Sequence, residues 1–154
     1  MGLSEVLNRF GPGDGRRPMQ TGVHVKATTF SKFRKKLKKT QKQMAQLLGT
    51  SIKAIHSYEQ GWRTIPTHVE RQLYFLLTRK LKGGKGAVAC WEERDCPQEQ
   101  REQCPAWEFS TGDLCWFING TICDGNVHGS WKEKMELCQT CSIFQSISEK
   151  IERL

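Results

Sequence analysis

Seven cysteines are the residues of this sequence whose type and spacing point most directly to chemistry. They are Cys90, Cys96, Cys104, Cys115, Cys123, Cys138 and Cys141. Tetrahedral sulfur coordination suits zinc or an iron–sulfur cluster. A structural zinc site usually has two short-spaced pairs, whereas only Cys138 and Cys141 form a Cys-x-x-Cys pair here. Seven thiols also exceed one zinc site, which leaves room for a four-cysteine cluster with extra thiols, or for two metals that share ligands.

Three uses of these thiols therefore stay open, and all seven cysteines are candidate ligands. The first is an iron–sulfur cluster that senses redox state, oxygen or iron; the second is structural zinc; the third is a thiol–disulfide switch without metal. Cys138 and Cys141 would be ligands in the first two cases and the disulfide pair in the third. Because an odd number of cysteines cannot be fully paired, we expect a cofactor, either an iron–sulfur cluster or zinc.

The expected compartment supports free thiols. Residues 1–19 contain no apolar core of a secretory signal, and no stretch approaches the ~18 consecutive apolar residues of a membrane span. We therefore predict a cytoplasmic protein with no membrane association. Thiols stay reduced in the cytoplasm and remain available to metals.

The elements that must hold the cysteines carry little periodicity. Four tryptophans lie among the cysteines and offer large apolar surfaces in a region poor in aliphatic residues. We predict helices near 132–137 and 143–154 and little other regular structure in residues 90–154. We expect a metal or cluster to stabilise this small region.

The charges divide the chain into two unlike halves. Residues 1–89 contain 18 Lys and Arg against 4 Asp and Glu, a net charge of +14, and residues 90–154 contain 6 against 12, a net charge of −6. Neutralising phosphates releases counterions and supplies most of the non-specific affinity for nucleic acid. The basic half is therefore the candidate nucleic-acid binder.

The basic half has a helical pattern from Phe30 to Thr78. Phe30, Phe33 and Leu37 form the apolar stripe of a first helix, and Thr40 is a suitable N-cap for a second helix, with Gln43 as its capping-box partner. This second helix is predicted to run to position 48.

A tight turn follows the second helix. Gly49 can take a left-handed conformation, and Thr50-Ser51 can cap a third helix. In that helix Ile55 and Tyr58 are three residues apart and should face the core. The residues left pointing outward, which are the natural readers of bases or phosphates, are Lys53, His56 and Ser57.

This region resembles the Cro/XRE family of helix-turn-helix repressors. The signature positions that match in order are Thr40-Gln41, Met44-Ala45, Leu47-Leu48-Gly49, Ser51, Ile55, Tyr58-Glu59, Gly61, Arg63 and Ile65-Pro66. The resemblance implies a five-helix bundle, with Gln41 near a phosphate and with Ile52 and Lys53 entering the major groove. The candidate DNA-binding residues are Thr40, Gln41, Ser51, Ile52, Lys53, His56, Ser57 and Arg63.

The cysteine-rich region resembles a small bacterial module called the two-CW domain. The motifs that carry this resemblance are Cys90-Trp91-Glu92, Cys104-Pro105-Ala106, Cys115-Trp116, Gly120-Thr121-x-Cys123, Lys134 and Cys138-x-x-Cys141. Such modules are often attached to signalling domains, so the resemblance implies sensing rather than catalysis.

These observations predict a mainly α protein, a five-helix helix-turn-helix bundle followed by a small cysteine-rich, metal- or cluster-stabilised domain. The expected boundaries are a flexible arm at 1–25, a DNA-binding domain at 26–80, a linker at 81–89 and a metal or redox domain at 90–154. We predict a non-enzymatic transcription regulator that binds specific double-stranded DNA as a homodimer, takes no small-molecule substrate and senses redox state or metal through an iron–sulfur cluster. The alternative is a DNA-binding adaptor whose structural zinc domain recruits a partner protein.

Overall fold

The computed structural model describes residues 25–81 and 88–154. The arm predicted at 1–25, apart from its last residue, and most of the linker predicted at 81–89 lie outside the described residues. The helices are α1 (Ala27–Lys36), α2 (Gln41–Leu47), α3 (Ile52–Glu59), α4 (Thr67–Leu81), α5 (Cys90–Glu93), α6 (Gln98–Glu102), α7 (Pro105–Glu108), α8 (Trp131–Cys138) and α9 (Ser142–Glu152). In the described ranges, no helix combines the length and apolar character needed to cross a membrane.

Helices α2 and α3 begin at their predicted capping residues, and α2 ends at Leu47, one residue before its predicted end. Thr40 and Gln43 form the predicted capping box: each backbone N–H donates to the other residue's side-chain oxygen, at 3.0 and 3.1 Å. Gly49 has a φ of +62°, the left-handed conformation expected after α2. Ser51 caps α3 by accepting a hydrogen bond from the backbone N–H of Ala54. All three residues of the predicted stripe of α1 are buried, and Phe30 is fully buried.

The expected five-helix bundle has only four helices in residues 25–81. The reason lies in α4, which continues without a break for 15 residues. Its buried positions Val69, Leu73 and Leu77 recur every four residues, as expected for one side of a continuous helix. Other α4 residues contact the cysteine-rich region instead of a fifth helix of the same bundle.

The cysteine-rich region has more regular structure than the sequence predicted. Besides α8 and α9, it contains α5, α6, α7, a 3₁₀ turn at Cys115–Phe117, and an antiparallel hairpin of β1 (Thr121–Cys123) and β2 (Asn126–His128). The three short helices span only four or five residues each. Segments of that length complete little more than one turn, so they produce no helical periodicity in the sequence.

The two regions share one continuous apolar core. Tyr74 on α4 packs edge-on against Trp116 and Phe144, with ring centroids 6.2 and 5.5 Å away. The guanidinium of Arg71, also on α4, lies over the rings of Phe117 and Trp131. Helix α4 therefore belongs to both regions and connects them directly.

Candidate DNA-binding surface and cysteine cavity

Helix α3 presents two different sides. Ala54, Ile55 and Tyr58 face the core and are at most 4 % exposed. Ile52 is 48 % exposed, and Lys53 is also exposed to solvent. The face predicted to read DNA is therefore available, and the apolar face that positions it is buried.

The other predicted DNA-binding residues fall into two groups. Thr40 and Ser51 serve as helix caps, and the hydroxyl of Ser57 donates to the carbonyl oxygen of Lys53 at 2.8 Å. The more accessible ones include Arg63, which is exposed, and His56, whose exposed ring packs edge-on against Trp62. Their contacts with DNA stay a prediction.

Gln41 is held by a partly buried ionic cluster that the sequence analysis did not identify. Its Nε2 donates to Oε2 of Glu59 at 2.7 Å, and Arg34 Nη2 donates to the same oxygen at 3.2 Å. Burial alone would raise the pKa of Glu59, but the hydrogen bonds from Arg34 and Gln41 outweigh it and hold that pKa below its usual value. The cluster joins the start of α2 to α1 and the end of α3, so it fixes the angle at which α3 is presented.

Part of the basic surface of α1 is occupied within the protein. Lys32 pairs with the carboxylate of Glu152, and Lys36 Nζ donates to the Glu152 carbonyl oxygen at 2.7 Å. The C-terminal end of α9 therefore covers this side of α1. Lys35 and Lys38, outside this contact, remain exposed.

All seven cysteines line a single cavity of about 180 Å³ in the cysteine-rich region. The thiols come from segments far apart in sequence. They lie at the start of α5, just before α6, just before α7, in the 3₁₀ turn, at the end of β1, at the end of α8 and just before α9. None of the seven forms a disulfide. The fold therefore brings all seven candidate ligands to one place, which their spacing did not indicate, and which of them bind a metal stays a prediction.

The thiols differ in their surroundings. A hydrogen bond with Cys115 lowers the pKa of Cys90 to about 7, and the same contact, with burial, raises the pKa of Cys115. Cys104 Sγ accepts a hydrogen bond from the backbone N–H of Ile122 at 3.4 Å. Cys96, by contrast, lies 3.8 Å from the carbonyl oxygen of Pro97 and is positioned to donate to it.

Three cationic side chains line the same cavity. Arg94 Nη1 donates to Cys141 Sγ at 3.3 Å and its Nη2 pairs with Asp124. Arg101 donates from Nε to the Cys96 carbonyl oxygen at 2.9 Å. Lys134 is only 2 % exposed, and its Nζ donates to the hydroxyl of Thr121. In the sequence, Lys134 stands out only as one position of the two-CW motif, and no pattern distinguishes the two arginines.

The arrangement of the thiols bears on what the cavity can hold. Across 25–81 and 88–154, no group of three or more His, Cys, Asp or Glu side chains is arranged to hold a single metal ion. A liquid water occupies about 30 Å³, so the cavity is large compared with one ion. The chemistry of the donor set, which is sulfur from seven cysteines, is that of zinc or iron–sulfur sites.

Helix α8 connects the cavity to α4. Lys134 and Cys138 on α8 line the cavity, while Trp131 at its first turn donates from Nε1 to Oε2 of Glu70 at 3.1 Å. Oε1 of Glu70 accepts a hydrogen bond from the backbone N–H of Val25, just before α1, at 2.7 Å. One buried carboxylate therefore joins the helix that lines the cavity to the first residues of the helix-turn-helix region.

Comparison with known proteins identifies one of the two regions. Residues 31–67 match the family model described as helix-turn-helix, and they form a Cro/XRE-type domain, as the signature predicted. No curated protein and no solved structure matches the chain. Domains of this family bind DNA and are typically non-enzymatic, so the match indicates a DNA-binding transcription regulator. The cysteine-rich region matches no family model, and its resemblance to the two-CW domain stays a prediction.

Proposed function

We propose that this protein is a sequence-specific regulator of transcription whose cysteine cavity binds an iron–sulfur cluster and makes DNA binding depend on the state of that cluster. The observation that carries the proposal is the convergence of all seven cysteines on one cavity, in a chain whose other region is a helix-turn-helix domain. The proposed homodimer would place two copies of α3 in successive major grooves.

The exposed face of α3 supports the DNA-binding half of the proposal. Ile52 offers an apolar surface to a thymine methyl group, and Lys53 offers a cation to guanine or to a phosphate. Base contacts would carry sequence specificity, whereas phosphate contacts would set only position and affinity. The basic charge of the N-terminal half supports attraction to the duplex.

The donor set supports the cluster half. Cys138, Cys104 and Cys115 are the most buried thiols, and Cys104 already accepts a backbone N–H, the kind of contact that tunes cluster potentials. When bound, an iron–sulfur cluster supplies reversible one-electron chemistry. The protein side chains hold it, limit the access of water and set the charge around it.

The shared helices support coupling between the two halves. A change in the position of the Cys138 sulfur on α8 would be passed along the helix to Trp131, which donates a hydrogen bond to Glu70 on α4. Glu70 also holds the backbone at Val25, so displacement of α8 alters the support of α1. A ligand shifts an equilibrium only when it binds two states differently, and α8 is the element that would differ between them.

Two measurements on anaerobically purified protein test the proposal. Iron and acid-labile sulfide in equal amounts, with several iron atoms per chain, support the cluster. Stoichiometric zinc without sulfide would contradict it and would favour the adaptor with a structural zinc domain. For DNA, fragments selected from the genome should bind more tightly than shuffled duplexes of equal length in an anisotropy titration, and equal affinities would contradict specific binding.

A further inference from the structure

Lys134 is the most buried of the three cations that line the cavity, and it has no anionic partner among the described residues. Arg94 pairs with Asp124, and the Arg101 guanidinium lies over the ring of Trp107. In residues 25–81 and 88–154, no carboxylate forms a salt bridge with Lys134; its hydrogen-bond partner is the neutral hydroxyl of Thr121.

A buried ammonium group without a counter-ion is costly to maintain. Lys134 is 2 % exposed, so water does not compensate its charge. Lys134 lines the same cavity as the seven thiols, which become anionic when they bind a metal. The negative charge that this lysine lacks would therefore be supplied from within the cavity.

We propose that Lys134 is the counter-charge of an anionic, thiolate-ligated metal centre, and that it raises the reduction potential of that centre. This inference rests on the proposed function, because it needs a metal centre in the cavity. Four thiolates around a typical cubane cluster give a net negative charge, and the gain of one electron makes that charge more negative. A fixed cation beside the cluster stabilises the reduced form more than the oxidised form.

The proposal predicts opposite effects of one substitution in the two forms of the full-length protein. Lys134→Met keeps the length of the side chain and removes the charge. In the metal-free protein, it removes an uncompensated buried charge, so the urea midpoint of unfolding rises. In the protein reconstituted with iron and sulfide, the reduction potential falls. The expected shift is about 59 mV, which corresponds to a tenfold lower ratio of reduced to oxidised centre for one electron.

Two further variants separate charge from packing. Lys132→Met removes an exposed lysine from the same helix and should leave both the urea midpoint and the potential unchanged. Thr121→Val removes the hydroxyl that accepts a hydrogen bond from Lys134 but keeps the ammonium charge. Its reduction potential should therefore be closer to that of the wild type than the reduction potential of Lys134→Met is.

The outcomes distinguish this inference from the proposed function. If the wild type takes up neither iron and sulfide nor zinc, both are overturned. If it takes up the cluster but Lys134→Met has the same potential, or lowers the urea midpoint of the metal-free protein, only the role of Lys134 is overturned. If the wild type holds zinc instead, the cluster is overturned, and the counter-charge role then requires weaker zinc binding by Lys134→Met than by Lys132→Met.

Discussion

Trp131 and Glu70 are 61 residues apart in sequence and meet through a buried hydrogen bond of 3.1 Å between indole Nε1 and carboxylate Oε2. Trp131 begins the helix that lines the cysteine cavity, and Glu70 lies on the longest helix of the DNA-binding region. The second oxygen of Glu70 accepts from the backbone of Val25. This carboxylate is therefore a direct mechanical connection between the two candidate sites.

The connection predicts energetic coupling between its two side chains. Trp131→Phe removes the donor, and Glu70→Gln presents an amide N–H where an acceptor is needed. Each change should lower the free energy of unfolding by about 1.5–3 kcal/mol, the range for hydrogen bonds to charged groups. In urea titrations, the free energy of unfolding lost in the double variant should be smaller than the sum of the losses in the two single variants. Trp107→Phe, at a site 40 % exposed, is the control, and strict additivity would contradict the direct bond.

Lys53 should contribute directly to DNA affinity. Lys53→Ala removes an exposed cation from α3 and is expected to weaken binding to a selected duplex. If Lys53 contacts a phosphate, the slope of the logarithm of the binding constant against the logarithm of the salt concentration falls in magnitude by about 1, and the affinity for all sequences decreases equally. If Lys53 contacts a base, specificity at one position of the DNA site relaxes. Lys150→Ala removes an exposed charge from α9 and serves as the control. Equal affinity of the Lys53 variant and wild type would place α3 outside the interface.

The stability of the DNA-binding region should depend on acid pH through Glu59. The pKa of Glu59 is lowered in the folded protein, so its ionised form adds stability above the unfolded value of about 4.3. That contribution is lost as the pH falls below this value and through the lower folded pKa. The free energy of unfolding of wild type should therefore drop more steeply over this acid range than that of Glu59→Gln. Parallel pH profiles of the two proteins would show that the pairing with Arg34 does not stabilise the fold.

The cysteines should not contribute equally to metal uptake. Cys138 is 6 % exposed and lies on the helix that lines the cavity, whereas Cys96 is partly exposed and directed at a carbonyl oxygen. Cys138→Ser should therefore lose most bound iron, and Cys96→Ser should retain most of it, after identical anaerobic reconstitution. Iron retained by the Cys138 variant and lost by the Cys96 variant would reverse this assignment of ligand and surplus thiol.

The helix-turn-helix region was predictable because its signals are local. The capping box at Thr40 and the left-handed Gly49 depend on residues within one turn, and the fold places both as expected. That residues 25–81 contain four helices and not five could not be predicted, because it depends on contacts between residues far apart in sequence. Tyr74 and Arg71 pack on rings from the cysteine-rich region, and nothing in the local pattern of α4 distinguishes such a surface from one covered by another helix.

The candidate metal site was predictable in its residue types but not in its arrangement. Cysteine identity indicates sulfur chemistry, but the convergence of seven thiols on one cavity is a property of the tertiary fold. Lys134 illustrates the limit most clearly. Its sequence neighbours on α8 include exposed charged residues, and only packing shows that it is buried among thiols rather than directed into solvent.

The most direct test of the account compares the dissociation constant for one selected duplex in the same anaerobic preparation before and after removal of the metal centre. The account predicts that affinity changes severalfold when the centre is removed and returns when iron and sulfide are restored. It also predicts that Trp131→Phe, which breaks the connection through Glu70, reduces this difference. An identical dissociation constant with the centre present and absent would contradict the claim that the cysteine cavity controls DNA binding.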